Sequence, residues 1–171
     1  NEAATRAMIG ADGWLNTGDT ARIDEEGNVF ITGRLKEIIV MSNGEKIPPL
    51  DIEAAISRDI LFEQVMLIGE GKPFLSLMTV LNNEQWQKFG AEHGCGTGPD
   101  ALRDPAVEKA LLARVSAQMK PFPGYAQVRR ITASLEPWSV ENGLLTPTLK
   151  LRRSRVMEKF QAELDQMYGG H

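Results

Sequence analysis

A carboxylate, two runs of cations and a glycine-containing hairpin are the groups in this sequence that could do chemistry. In GWLNTGD, Asp19 follows Thr17-Gly18 just ahead of a run that reads as a strand. A carboxylate held at a strand end can accept both hydroxyl protons of a ribose diol, as it does in dinucleotide-binding folds. A plain Asx turn or cap would use the same residues. Further on, GRLKEIIV spaces Arg34 and Lys36 two apart. Alternate residues of a strand share one side, so both cations are expected to face one anionic or hydroxylated ligand, unless they are simply the charges of an edge strand. Near the C-terminus, LKLRRSRV gathers Lys150, Arg152, Arg153 and Arg155 where a helix should begin. Cations there oppose the helix dipole by a few tenths to ~1 kcal/mol each. Set against an anion, the same charges and the free N–H groups become a binding site; otherwise the stretch is a solvated basic turn. In the hairpin Ser42, Asn43, Gly44, Glu45, the missing Cβ of Gly44 would let a ligand chain pass close to the backbone.

The elements that position these groups follow from patterning. Residues 20–34 read as a β-hairpin around DEEGN, and EIIVM and EKI as a second one closed by Asn43-Gly44. Asn-Gly between apolar runs predicts a type I′ turn, with positive φ at both residues. Pro48 ends that strand, and Pro49 suits the first turn of a helix whose Ile52 and Ile56 face inward. Strands are expected over 64–68, 74–81 and 128–133, and a helix from Asn83 to Gly90. Asp104-Pro105 opens another helix, with Val107, Leu111, Val115 and Met119 at i+4 spacing. One last helix is expected from about Leu151 to Tyr168, with Val156, Phe160 and Leu164 inward and Gly169 as its C′ stop. Strands and helices interleave without a strict βαβ rhythm, which predicts an α+β fold: a small mixed sheet with flanking helices, preceded by a β-hairpin that belongs elsewhere.

Composition sets limits. With 42% hydrophobic and 25% charged residues the chain can build a core, and a net charge of −4 gives no nucleic-acid surface, which needs clustered excess Lys and Arg. A lone cysteine, Cys95, forms no internal disulfide and suits a reducing cytoplasm. No apolar run approaches the ~18 residues of a membrane span. The opening NEAATRAM, without an initiator Met, reads as the start of an excised segment.

Taken in order and spacing, GWLNTGD, GRLKEIIVMSNGEKIPPLDIE and a late Lys in LTPTLKLRR resemble the adenylate-forming superfamily, which includes acyl-CoA synthetases, peptide-synthetase adenylation domains and luciferases. The LTPTLKLRR variant is most similar to long-chain fatty acyl-CoA synthetases; amino-acid adenylation domains more often carry Asn-Gly-Lys there. The resemblance covers the whole chain but only the last third or so of a full-length member.

The resemblance implies an ATP-dependent, AMP-forming ligase that adenylates a fatty acid, releases pyrophosphate and passes the acyl group to CoA as co-substrate. Residue by residue, it implies that Asp19 binds the ribose hydroxyls, that Arg34 contacts the same nucleotide and that Lys36 is the hinge. Lys150 would be the catalytic lysine of adenylation, and Ser42, Asn43, Gly44 and Glu45 would line the CoA passage. Residues 1–35 would be the tail of a large N-terminal domain and residues 37–171 a mobile lid. The phosphate loop, the Mg²⁺ ligands and the acyl pocket would lie outside this segment, so the segment alone is expected to be inactive. Its partners would be that N-terminal domain, fatty acid, ATP and CoA, and the open edges of the N-terminal hairpin offer a route to self-association. The parent is expected to be cytoplasmic, with peripheral membrane contact left open. An acyl-AMP ligase or another carboxylate-activating ligase is the alternative within the class. A non-catalytic nucleotide- or partner-binding module is the alternative outside it. Cys95, His93 and His171 match no motif of the family.

Overall fold

The computed structural model describes residues 1–169; His171 lies outside them. Seven strands and six α-helices follow one another as α1 (Glu2–Met8), β1 (Asp19–Ile23), β2 (Val29–Arg34), β3 (Ile39–Val40), β4 (Lys46–Ile47), α2 (Pro49–Ile56), β5 (Phe62–Ile68), β6 (Leu75–Leu81), α3 (Asn83–His93), α4 (Pro105–Gln118), β7 (Val128–Ser134), α5 (Arg153–Lys159) and α6 (Gln161–Tyr168) among the described residues. The strands form two two-stranded ribbons, β1-β2 and β3-β4, and a mixed sheet in the order β5-β6-β7. In that sheet β5 and β6 are antiparallel while β6 and β7 are parallel, joined by a crossover through α3 and α4. The expected α+β fold is the observed one.

Two cores lie on the two faces of this sheet, and the strand period sorts residues between them. Phe62, Leu67, Leu75, Leu77 and Leu81 meet Ile52, Ile56, Trp86, Val107, Leu111 and Val115 on the face covered by α2, α3 and α4. Met66, Ile68, Met78 and Val80 point the other way, onto Trp138, Leu144, Val156, Leu164 and Tyr168. Every residue of β6 is buried, as expected of a central strand covered on both sides. The helix α4 starts as its sequence predicts: the Asp104 carboxylate accepts the Ala106 N–H at 2.8 Å and Pro105 fills the first turn.

An ion pair ties α4 to the turn between α2 and β5. Arg114 donates to both carboxylate oxygens of buried Asp59, at 2.8 and 2.7 Å, and the Leu61 N–H adds a third bond at 3.1 Å. Burial pushes the Asp59 carboxyl up, but the hydrogen bonds from Arg114 and Leu61 outweigh it and hold the group below its ordinary value of 3.8. A carboxyl depressed in the folded state stabilises fully above its unfolded pKa, and that stability is lost as pH falls through the folded value. Unfolding free energy should therefore drop as pH is lowered from about 5 through the acid range. Asp59→Asn should show a shallower drop from a lower plateau, measured by urea unfolding at each pH.

Several expectations are corrected. The 42–45 hairpin is not type I′: only Gly44 has positive φ (83°), and Asn43 does not. Gly44 N–H donates to Met41 O and Met41 N–H to Glu45 O, both at 2.9 Å, a type I turn followed by a left-handed glycine. The last helix is two helices, broken at Phe160 (φ −109°, ψ 29°). Gly169 does follow the last helical residue as expected, but at φ −74° it caps the helix without the left-handed conformation. A helix not anticipated, α1, forms at the start because the Asn1 side chain accepts from the Ala3 and Ala4 N–H groups.

Candidate functional site

Asp19 opens β1 and Arg34 closes β2, and the antiparallel register sets them directly opposite one another. Arg34 Nε lies 3.1 Å from Asp19 Oδ1, with the arginine side chain 59% and the carboxylate 28% exposed. An ion pair this exposed contributes about 0–1 kcal/mol, so both groups can be shared with a ligand at little cost. The turn around Asp19 is made by its neighbours: Asn16 Oδ1 accepts the Gly18 N–H at 2.9 Å and Thr17 Oγ1 the Asp19 N–H at 3.2 Å. The Asp19 carboxylate is thus not consumed as a turn-maker.

Lys36 departs from expectation. The strand ends at Arg34, and Leu35–Glu37 forms a 3₁₀ turn, so Arg34 and Lys36 do not share a strand face. A single 3₁₀ turn between two ribbons is a short, irregular joint of the kind hinges use. Beside it a cleft of ≈ 350 Å³ is lined by Lys36, Glu37, Glu70, Lys72, Arg153 and Asp165 among others. Its walls carry both signs of charge, which does not select an anion.

The 42–45 hairpin is rooted in the first core by Ile39, Met41 and Ile47. The turn between β5 and β6 braces it: Ser42 N–H donates to Lys72 O at 3.0 Å, Gly71 N–H to Val40 O at 2.8 Å, and Glu70 Oε2 accepts the Val40 N–H at 2.8 Å. A Cβ on Gly44 would meet nothing within 4 Å, so the face is open to solvent.

Lys150 sits on the other side of the sheet's packing. Leu145 and Leu151 form an antiparallel bridge, and both pack against the second core together with buried Leu144. Lys150 is exposed at this loop, and among the described residues its ammonium makes no hydrogen bond or ion pair. Leu149 beside it has φ +59°, the only positive φ outside glycine among the described residues. No sequence signal marks this strain except that the related Asn-Gly-Lys pattern carries a glycine at that place.

The basic cluster is divided by the fold. Arg153 is no free cation: it donates to Glu53 Oε1 at 2.8 Å and to Leu67 O, while Glu53 Oε1 also accepts the Leu67 N–H at 2.7 Å. Arg155 pairs with Glu158 at 3.1 Å. Two of the four cations are thus spent within the fold, Arg153 on holding α2 and β5 together and Arg155 on its own helix, while Lys150 and Arg152 stay exposed. Among the described residues no group of three His, Cys, Asp or Glu side chains comes together as metal ligands, and no helix is long and apolar enough to cross a membrane. Half-buried Cys95 packs against the first core.

The chain is similar to several known proteins. A long-chain-fatty-acid–CoA ligase of Rattus norvegicus is 33% identical over 98% of this chain and 26% of its own length. A chloroplastic long-chain-fatty-acid–acyl-carrier-protein ligase of Arabidopsis thaliana is 31% identical over 98% of this chain and 23% of its own length. The chain thus spans about a quarter of the length of the curated relatives it matches. In fold it is similar to the A domain of carboxylic acid reductase from Segniliparus rugosus, solved in complex with AMP and a co-purified carboxylic acid. The TM-score is 0.82 at 22% identity, covering 98% of this chain and 25% of that one. The family model described as the AMP-binding enzyme C-terminal domain matches residues 36–171, and the chain belongs to that family.

Proposed function

We propose that this chain is the C-terminal part of an ATP-dependent fatty acid–CoA ligase, with residues 1–35 the tail of a large domain, Lys36 the pivot and residues 37–171 a lid that serves two half-reactions in two orientations. The observation that carries this reading is the separation of the two functional loops. The Lys150 loop is rooted through Leu144, Leu145 and Leu151 in the core on one face of the sheet, and the 42–45 hairpin in the core on the other. One orientation against a partner domain presents one loop, and a turn about Lys36 presents the other. The family match beginning at residue 36 supports the pivot. Exposed Trp14, Ile23, Val29, Ile31 and Leu35 support a large domain packed on the first 35 residues.

In the first orientation a fatty acid carboxylate oxygen attacks the α-phosphorus of ATP, the bond to the bridging oxygen breaks and pyrophosphate leaves. Asp19 and Arg34 hold the ribose and nucleotide, and the Lys150 ammonium lies between the carboxylate and the phosphoryl oxygens. In the second, the CoA thiolate attacks the acyl carbonyl carbon and AMP leaves with the electron pair of the broken C–O bond. ATP comes with Mg²⁺, whose ligands would lie in the large domain.

Fatty-acid-dependent ATP–pyrophosphate exchange by the full-length polypeptide, over a panel of chain lengths and with CoA or acyl carrier protein as acceptor, tests the reading. Exchange with long-chain acids followed by CoA thioester formation is expected. Transfer only to carrier protein would replace the acceptor, and absence of exchange with every carboxylic acid would leave a binding module. The hairpin has its own expected outcome. Gly44→Asn keeps a residue that tolerates left-handed φ while adding a side chain to the open face. It should leave exchange intact and slow thioester formation from pre-made acyl-AMP on the order of 10-fold, the scale of a small steric misfit. Stopped-time thioester assays read this directly.

A further inference from the structure

Resting on the role of Lys150 above, we propose that Thr146 is a positioning residue for that lysine, aiming it through both of its backbone groups. Thr146 N–H donates to Lys150 O at 2.8 Å, and Thr146 Oγ1 accepts the Lys150 N–H at 3.0 Å. The same residue's carbonyl accepts the Leu149 N–H at 2.8 Å, and its hydroxyl shares a further hydrogen bond with Thr148 Oγ1 at 3.0 Å. Thr146 is half-buried at the base of the loop while Lys150 is exposed. The lysine side chain is thus free of partners among the described residues, while the backbone that sets its Cα–Cβ direction is held.

Leu149 shows what this arrangement costs. A leucine at φ +59° is strained, and at 72% exposed its side chain gains almost nothing from burial. The left-handed step turns the Lys150 N–H back towards the Thr146 hydroxyl. Strain of this kind persists where the surrounding structure requires it, and clusters at functional sites. The hairpin does not need the hydroxyl to stay closed. The Leu145–Leu151 bridge, the Thr146 N–H bond to Lys150 O and the Arg152 N–H bond to Leu144 O at 2.9 Å close it from the backbone alone. What the hydroxyl adds is the last constraint on Lys150 itself.

The test uses the full-length polypeptide that contains this domain, with Thr146→Val, Thr146→Ser, Lys150→Ala and the Thr146→Val/Lys150→Ala pair. Thr146→Val should lower the kcat of ATP–pyrophosphate exchange by about 10- to 10²-fold, the scale of a misplaced catalytic group, with the KM for ATP little changed. Thioester formation from pre-made acyl-AMP should be spared, Thr146→Ser should restore most of the exchange, and the double variant should lose no more than Lys150→Ala alone. Unchanged exchange in Thr146→Val, no rescue by Ser, or equal loss of both half-reactions would overturn the proposal. If Thr146→Val does not fold, Thr146→Ala removes the same hydroxyl; failure of both to fold would overturn the proposal by making the residue structural. Lys150→Ala separates the two levels. If it leaves exchange intact, the reading of the lysine fails; if it abolishes exchange while Thr146→Val does nothing, only the positioning role fails.

Discussion

Replacing Lys150 by alanine in the full-length polypeptide should lower fatty-acid-dependent ATP–pyrophosphate exchange by roughly 10²–10³-fold, and by more if the lysine also helps to hold the nucleotide. Attack of a carboxylate on the α-phosphate brings two anions together and builds charge on the phosphoryl oxygens. A compact ammonium stabilises that charge more in the transition state than in the ground state, so the loss should fall on kcat rather than on KM. Lysine suits this place because it is a point charge on a flexible stem, whereas arginine's planar fork would need room to bind two oxygens at once. Among the described residues the ammonium has no partner, so its removal breaks no bond seen to hold the fold, and thermal stability should not change. Thioester formation from supplied acyl-AMP should proceed as in the wild type, because the proposed second orientation turns Lys150 away.

Trp86→Ala should destabilise the 1–171 chain by about 3–5 kcal/mol. The indole is fully buried in the first core and stacks on Phe89 with ring centroids 5.3 Å apart. Its N–H donates to Thr97 O at 2.8 Å, which pins the glycine-rich loop after α3 onto the helix. Truncation removes the ring, leaves a cavity in the core and strands the Thr97 carbonyl. Urea unfolding should show a lower midpoint with an unchanged slope. Trp86→Phe should recover most of the loss while leaving the carbonyl unpaired.

Much of the fold was legible because local signals and burial agreed. Asp104-Pro105 capped α4, and Val107, Leu111, Val115 and Met119 are all buried as their spacing predicts. The failures have physical reasons. Asn-Gly suits both a type I′ turn and a type I turn with a left-handed glycine, and the bond from Ser42 N–H to Lys72 O belongs to a partner far along the chain. The i+4 series Val156, Phe160, Leu164 records which side faces the core, and that is preserved across the break at Phe160; it does not record an unbroken hydrogen-bond ladder. At the site, the hairpin itself is legible, but the pairing of Asp19 with Arg34 needs a one-residue register shift between Thr20 and Ala21 that patterning does not show. The loss of Arg153 to Glu53, 100 residues away, cannot be read locally. Leucine itself gives no hint of the left-handed conformation at 149, and only the glycine of the related Asn-Gly-Lys pattern points to it.

The central claim is that one lid serves two reactions with two different faces. The direct measurement is to assay exchange and acyl-AMP-to-thioester transfer side by side in Lys150→Ala and Gly44→Asn. The account predicts a crossed pattern: the lysine variant loses exchange and keeps transfer, while the glycine variant keeps exchange and slows transfer about 10-fold. If both variants lose the same step, or each loses both equally, the two loops serve a single arrangement and the alternating lid is wrong.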